Sequence, residues 1–97
     1  MIGFKKFSID NLTLIDATYG FKHYEWVIQE LIKIDGYTPL YVASVSIENA
    51  TTNGKYCTRC AVSKCTIESI YITNHTKDEA KIKIEIVVAY SKNNLFM

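Results

Sequence analysis

The chain has 97 residues, 48% of them hydrophobic and 22% charged, with a formal net charge of +1. This balance excludes a disordered segment, because ample Ile, Val and Tyr are present to bury. It also excludes a protein whose main work is coating nucleic acid, which needs an excess of cationic side chains against phosphate. Arg59 is the single arginine, so bidentate readout of guanine or phosphate by several arginines is excluded too.

A chain of this length is expected to form one domain, residues 1–97, with one thin core and no deep enclosed cavity. A large pocket would form more easily between subunits than inside one. No apolar run approaches the length of a membrane span, and the opening MIGFKKFSIDN shows no signal-peptide core. Three cysteines, an odd count, fit a reducing compartment better than a disulfide framework. The expected location is therefore cytoplasmic, that of the host cell if the protein is viral. Three glycosylation sequons, at Asn11, Asn49 and Asn74, are then chance in an Asn- and Thr-rich chain. Heavy use of Ile, Lys, Asn and Tyr suits AT-rich coding, as in a low-GC bacterium or a phage or mobile element living in one.

In chain order, Phe4 to Ala17 reads as extended. Phe7 and Ile9 alternate, then Leu12 and Leu14 alternate in the opposite phase, so a turn or a β-bulge falls at Asp10–Asn11. The bulge is preferred. Gly20 to Asp35, GFKHYEWVIQELIKID, is predicted to be a helix. At ~100° per residue, Tyr24, Val27, Ile28, Leu31 and Ile34 fall on one side, with Phe21 and Ile32 at its edge. Gly36 and Pro39 mark its end. Leu40 to Glu48 alternates as a strand, with Tyr41, Ala43, Val45 and Ile47 on one face. Asn53-Gly54 is a hairpin signal. Lys55 to Thr73 is extended but too long for one ordinary strand, and a bend is expected near Ser63 to Cys65. Asn74 to Glu79 is a polar turn. Ala80 to Ser91 is the cleanest strand, with Ile82, Ile84, Ile86 and Val88 alternating against Lys81, Lys83 and Glu85. The apolar tail Leu95-Phe96-Met97 is expected to fray or to tuck against a neighbour.

The predicted order is β-α-β-β-β, the third extended run splitting if it bends. The fold class expected is α+β, a single helix packed on an antiparallel sheet of four to five strands. In element order this resembles an α/β roll of the cystatin-like kind. One helix covers about 10 Å of width and strands lie ~4.8 Å apart, so the sheet outgrows its cover. A homo-oligomer is therefore expected, most simply a two-fold dimer.

Cys57-x2-Cys60-x4-Cys65 with His75 spells most of a zinc site, but zinc draws four ligands to ~2.3 Å of one point. A strand sends Cys57 and Cys60 to opposite faces and keeps Cys57 and Cys65 far apart. Free thiols are the expected state, and no metal or cofactor is assigned. His23 and His75 are the acid–base pair a phosphodiesterase would need. Seven tyrosines offer flat stacking faces. Trp26 breaks the helical pattern by projecting from the polar face among Lys22, Gln29, Glu30 and Lys33, and an outward Trp suits an interface anchor. The leading expectation is a small non-catalytic binding protein acting as an oligomer. It would inhibit or adapt a protein partner, a role that suits a phage or mobile element, through Trp26, Lys22, Gln29, Glu30 and Lys33. The alternatives are a binder of a nucleotide or short single-stranded nucleic acid through Tyr stacking and lysines, and a small His-dependent phosphodiesterase.

Overall fold

The structure is a computed structural model describing residues 2–14, 22–52, 55–56, 60–75 and 79–93. Among these residues it is built of strands and contains no helix, which corrects the α+β expectation and the cystatin-like element order. The strands are β1 (Ile2–Leu14), β2 (Lys22–Val27), β3 (Tyr37–Thr52), β4 (Lys55–Tyr56), β5 (Cys60–Cys65), β6 (Ser69–Asn74) and β7 (Ala80–Lys92). They form a long antiparallel sheet in the order β1-β7-β3-β4 and a short one in the order β2-β6-β5. A strand of 16 residues such as β3 spans about 50 Å at ~3.3 Å per residue, and the molecule is 54 Å long.

The segment expected to be a helix divides in two. Its first half is β2, paired with β6 so that Tyr24 lies opposite Ile72 and Trp26 opposite Ile70. Tyr24, Trp26 and Ile28 turn inward, and Glu25 and Val27 outward. His, Tyr, Trp and Val are all indifferent helix formers, whereas aromatic and β-branched residues suit a half-buried pleated surface. The larger effect is burial. A helix would leave the indole in water; the strand buries it, and at ~25 cal/mol per Å² over roughly 150–250 Å² this gains on the order of 4–6 kcal/mol. The second half keeps helical spacing for one turn only. The Ile32 N–H donates to the Ile28 carbonyl at 3.0 Å, and both side chains are buried. The chain then closes a β-turn, with the Tyr37 N–H donating to the Ile34 carbonyl at 3.1 Å and Gly36 at a φ of 84°. A side chain disfavours that φ, and glycine does not.

The rest follows the alternation more closely. β1 is one bent strand whose register against β7 shifts between Ile9 and Leu12, the bulge at Asp10–Asn11. β3 carries shifts at Pro39/Tyr41, Val42/Ser44 and Glu48/Thr51. The second reverses the expected phase: Val42, Val45 and Ile47 pack toward the core, while Tyr41 joins the outer side with Ala89. The run expected to bend near Ser63 to Cys65 reverses at Thr66–Glu68 into the hairpin β5–β6. Thr66 closes it, its Oγ accepting from the N–H groups of Glu68 at 3.2 Å and Ser69 at 3.0 Å. The Asn53-Gly54 signal, Cys57 and the apolar tail lie outside the described residues.

Both sheets contribute to one core. Trp26, Ile70 and Ile72 of the short sheet join Leu12, Leu14, Ile82, Ile84, Ile86 and Val88 of the long one. The turn carrying Ile28 and Ile32 continues that cover to Tyr90. The long sheet thus has one face buried under the short sheet and one outer face with no described element over it.

Candidate functional site

The outer face of the long sheet is set by register. Phe4 on β1 lies opposite Ala89 on β7, and Ala89 lies opposite Tyr41 on β3. The three make one row across the sheet. Ala89 is fully buried although it points outward, while its flanking rings stay open, Phe4 at 62% and Tyr41 at 49% exposure. The next row toward the strand end holds Ile2 opposite Ser91, with Ile2 56% exposed. An apolar cluster of this kind on an uncovered sheet face marks an interaction surface more often than an isolated exposed residue does.

Further along the same face the chemistry changes. Glu85 sits between Lys6 at 4.0 Å and Lys83 at 3.8 Å. Beyond them Asp10, Asn11, Thr51, Lys81 and Lys83 line an open polar hollow of about 420 Å³. The face is therefore apolar at one end and charged, with both signs, at the other.

The edges of the long sheet differ as well. β1 is an edge strand carrying Lys5, Lys6, Asp10 and the bulge, devices that discourage a foreign strand. β3 pairs with β7 on one side; on the other, among the described residues, it pairs only with β4, at Thr51 and Thr52. β5 passes near β3 without a ladder to it. From Tyr37 to Ala50 the sequence carries a single charge, Glu48.

On the outside of the short sheet, Glu25 is the hub of a polar row. Its carboxylate accepts from the Ser69 hydroxyl at 2.6 Å and the Tyr71 hydroxyl at 3.1 Å. The Lys64 ammonium stands 5.9 Å from the Tyr71 ring centroid. The hydrogen bond to Glu25 and its charge raise the Tyr71 hydroxyl above its ordinary value.

The residues expected to meet a partner are placed differently from the expectation. Trp26 is 7% exposed and belongs to the core, which corrects its outward orientation. Its position in a strand, rather than on a helix, is the cause. Gln29, Glu30 and Lys33 are exposed on the turn after β2. Lys22 begins β2, and its side chain is outside the described residues. The outer helix face that would have united them does not exist. Among the tyrosines whose side chains are described, Tyr37 and Tyr41 are exposed, Tyr24 and Tyr71 half-buried and Tyr90 buried, so these five form no single stacking platform.

The remaining sequence candidates are similarly spread. Cys60 and Cys65 stand at opposite ends of β5, about 16 Å apart along a strand, too far to share one ion. Burial raises the Cys65 thiol, which disfavours the thiolate that a metal requires. His23 lies opposite Thr73, and His75 follows the end of β6; the imidazole of His23 is outside the described residues. Phe4 and Tyr41 were not singled out from the sequence. Their one available signal was that each is a large apolar residue in a strand, and only the register brings them together. No helix among the described residues is long and apolar enough to cross a membrane. No protein-family model, curated protein or solved structure matches the chain.

Proposed function

We propose that this chain is a non-catalytic binding protein that works as a two-fold dimer, its two copies joined through the edge of β3 that, among the described residues, has no strand paired to it from Tyr37 to Ala50. The observation that carries this reading is the charge-poor edge from Tyr37 to Ala50. An antiparallel strand edge is complementary to a second copy of itself, because a two-fold axis sets each N–H against a carbonyl. Like charges would oppose such pairing, and β3 offers only Glu48 whereas β1 offers Lys5 and Lys6. A net charge of +1 adds little long-range repulsion between copies. The bulges twist β3 and leave Ser44 to Glu48 as its longest uninterrupted stretch. Joining the copies this way extends the long sheet and leaves each Phe4–Ala89–Tyr41 row uncovered for a protein partner.

Sedimentation velocity over a range of concentrations tests the reading. Wild type is expected to reach a dimer. Ser44→Lys combined with Ser46→Lys puts two charges on that edge at exposed positions and is expected to give a monomer of unchanged Tm. Ser8→Lys, exposed on the opposite edge strand, is expected to remain dimeric. A wild type that stays monomeric throughout, or a double variant that still dimerises, overturns the assignment.

A further inference from the structure

Where the end of β1 meets the turn after β2, Gly3, Phe4, Lys5, Ile34, Tyr37 and Tyr90 line an open hollow of about 250 Å³. We propose that it is a binding site for a small monoanion with a compact apolar body, such as an aromatic or short-chain carboxylate.

Gly3 leaves one side of the hollow without a side chain. Gly3 pairs with Tyr90 across β1 and β7, where its inward neighbours in the strand carry side chains. A Cβ built on Gly3 meets nothing within 4 Å, so the space above it is open. The walls are apolar and set. Tyr37 and Tyr90 meet edge to face, with centroids 6.4 Å apart and an interplanar angle of 84°. The Tyr90 hydroxyl is spent on the Ile32 carbonyl at 2.5 Å, so the site is offered Tyr90's ring and not its polar tip. Ile34 closes the side nearest the turn.

Lys5 supplies the polarity. Among the described residues it is the only charged one in the lining, and it makes no ion pair with another of them. Its ammonium stands 5.6 Å from the Phe7 ring centroid, a contact that holds a cation without neutralising it. In the structure the ammonium leans toward Phe7, beyond the hollow; on binding, the flexible Lys5 side chain swings back over an anion seated against the apolar walls, the usual pairing of a small-ligand site. Its volume lies just below the range of about 300–1,000 Å³ for drug-sized ligands, which selects a body smaller than a nucleotide.

The test titrates the isotope-labelled full chain with benzoate and octanoate, following backbone amides by NMR. Benzyl alcohol and octanol serve as neutral counterparts, and adenosine monophosphate as a larger anion. The carboxylates are expected to shift the amides of Gly3, Lys5, Tyr37 and Tyr90 saturably. Gly3→Leu fills the open space and is expected to weaken both carboxylates by at least about tenfold, with Tm preserved. Lys5→Met is expected to weaken the carboxylates about threefold to fivefold, as for an exposed charge pair, and to leave the alcohols unchanged. Because the charge comparison is made within one variant, it stands even if Gly3→Leu folds poorly. The proposal is overturned if no carboxylate moves these amides, if both variants bind as wild type does, or if only the nucleotide binds there.

Discussion

Tyr90, near the end of β7, donates its hydroxyl proton to the main-chain carbonyl of Ile32 at 2.5 Å, and both residues are buried. The bond ties the turn after β2 to the long sheet at the point where the short sheet has ended. Tyr90→Phe keeps the ring and removes the donor, leaving the Ile32 carbonyl without that partner. An unsatisfied buried acceptor costs about 1–3 kcal/mol, so Tm is expected to fall by roughly 4–8 °C per kcal/mol in a domain of this size. Thermal denaturation followed by circular dichroism reads the change. A Tm equal to wild type would mean the turn is held by apolar packing alone.

The core position of Trp26 leads to a second expectation. Truncating a buried Trp to Ala costs about 3–5 kcal/mol, from lost transfer energy and the cavity left behind. Set against a total stability of about 5–15 kcal/mol, that is a large fraction. Trp26→Ala is therefore expected to lower the urea midpoint sharply, and any loss of assembly should follow the loss of fold. A variant with wild-type stability and lost assembly would instead restore the indole to the surface. Wild-type emission should be blue-shifted, as for an indole away from water.

The contrast between Trp26 and the strands around it shows what the sequence could reveal. β7 and the bulged β1 are legible because strict alternation leaves a single way to bury Ile82, Ile84 and Ile86 or Leu12 and Leu14. Gly36 is legible as a turn glycine because φ of 84° is a local requirement, but the turn it closes leads into β3 and does not end a helix. The stretch from Gly20 to Asp35 satisfies two periods at once. Ile28 and Ile32 are compatible with a helix but are joined only by a single turn bond, while Tyr24, Trp26 and Ile28 alternate as a strand. The residue that fitted the helix worst, Trp26, fits the strand best, and its misfit was the usable signal. The Phe4–Ala89–Tyr41 row was beyond reach for a different reason. It depends on the register of three strands and on irregularities in β3, which are fixed by long-range pairing and not by local pattern.

Gly36 supplies a third prediction. A Cβ there meets nothing within 4 Å, so the cost of a side chain lies in the backbone alone. Gly36→Ala is expected to lose about 1 kcal/mol because the left-handed region disfavours a Cβ. Gly36→Asn should lose less, since Asn tolerates that region better. Equal Tm values for wild type and both variants would show that the turn adopts another φ in solution.

The last prediction concerns alkaline pH. Tyr71 is raised above its usual value near 10 by the hydrogen bond from its hydroxyl to Glu25 and by the charge of Glu25, with burial and the charge of Glu68 adding to the effect. Tyr90 is raised above the same value by burial. Each hydroxyl therefore holds its proton more tightly folded than unfolded. Between the two values the native state binds more protons, so stability falls as pH rises. The contribution is complete below about pH 10, the unfolded value, and is lost as pH climbs through the raised folded values. The ionised forms explain the direction: a Tyr71 phenolate would face the Glu25 carboxylate, and a Tyr90 phenolate could no longer donate to Ile32. The urea midpoint is expected to be flat with respect to these two groups up to about pH 10 and to decline above it. Tyr71→Phe should make the decline shallower, and Tyr71→Phe with Tyr90→Phe shallower again. A decline of equal slope in wild type and the double variant would assign the alkaline loss to other groups.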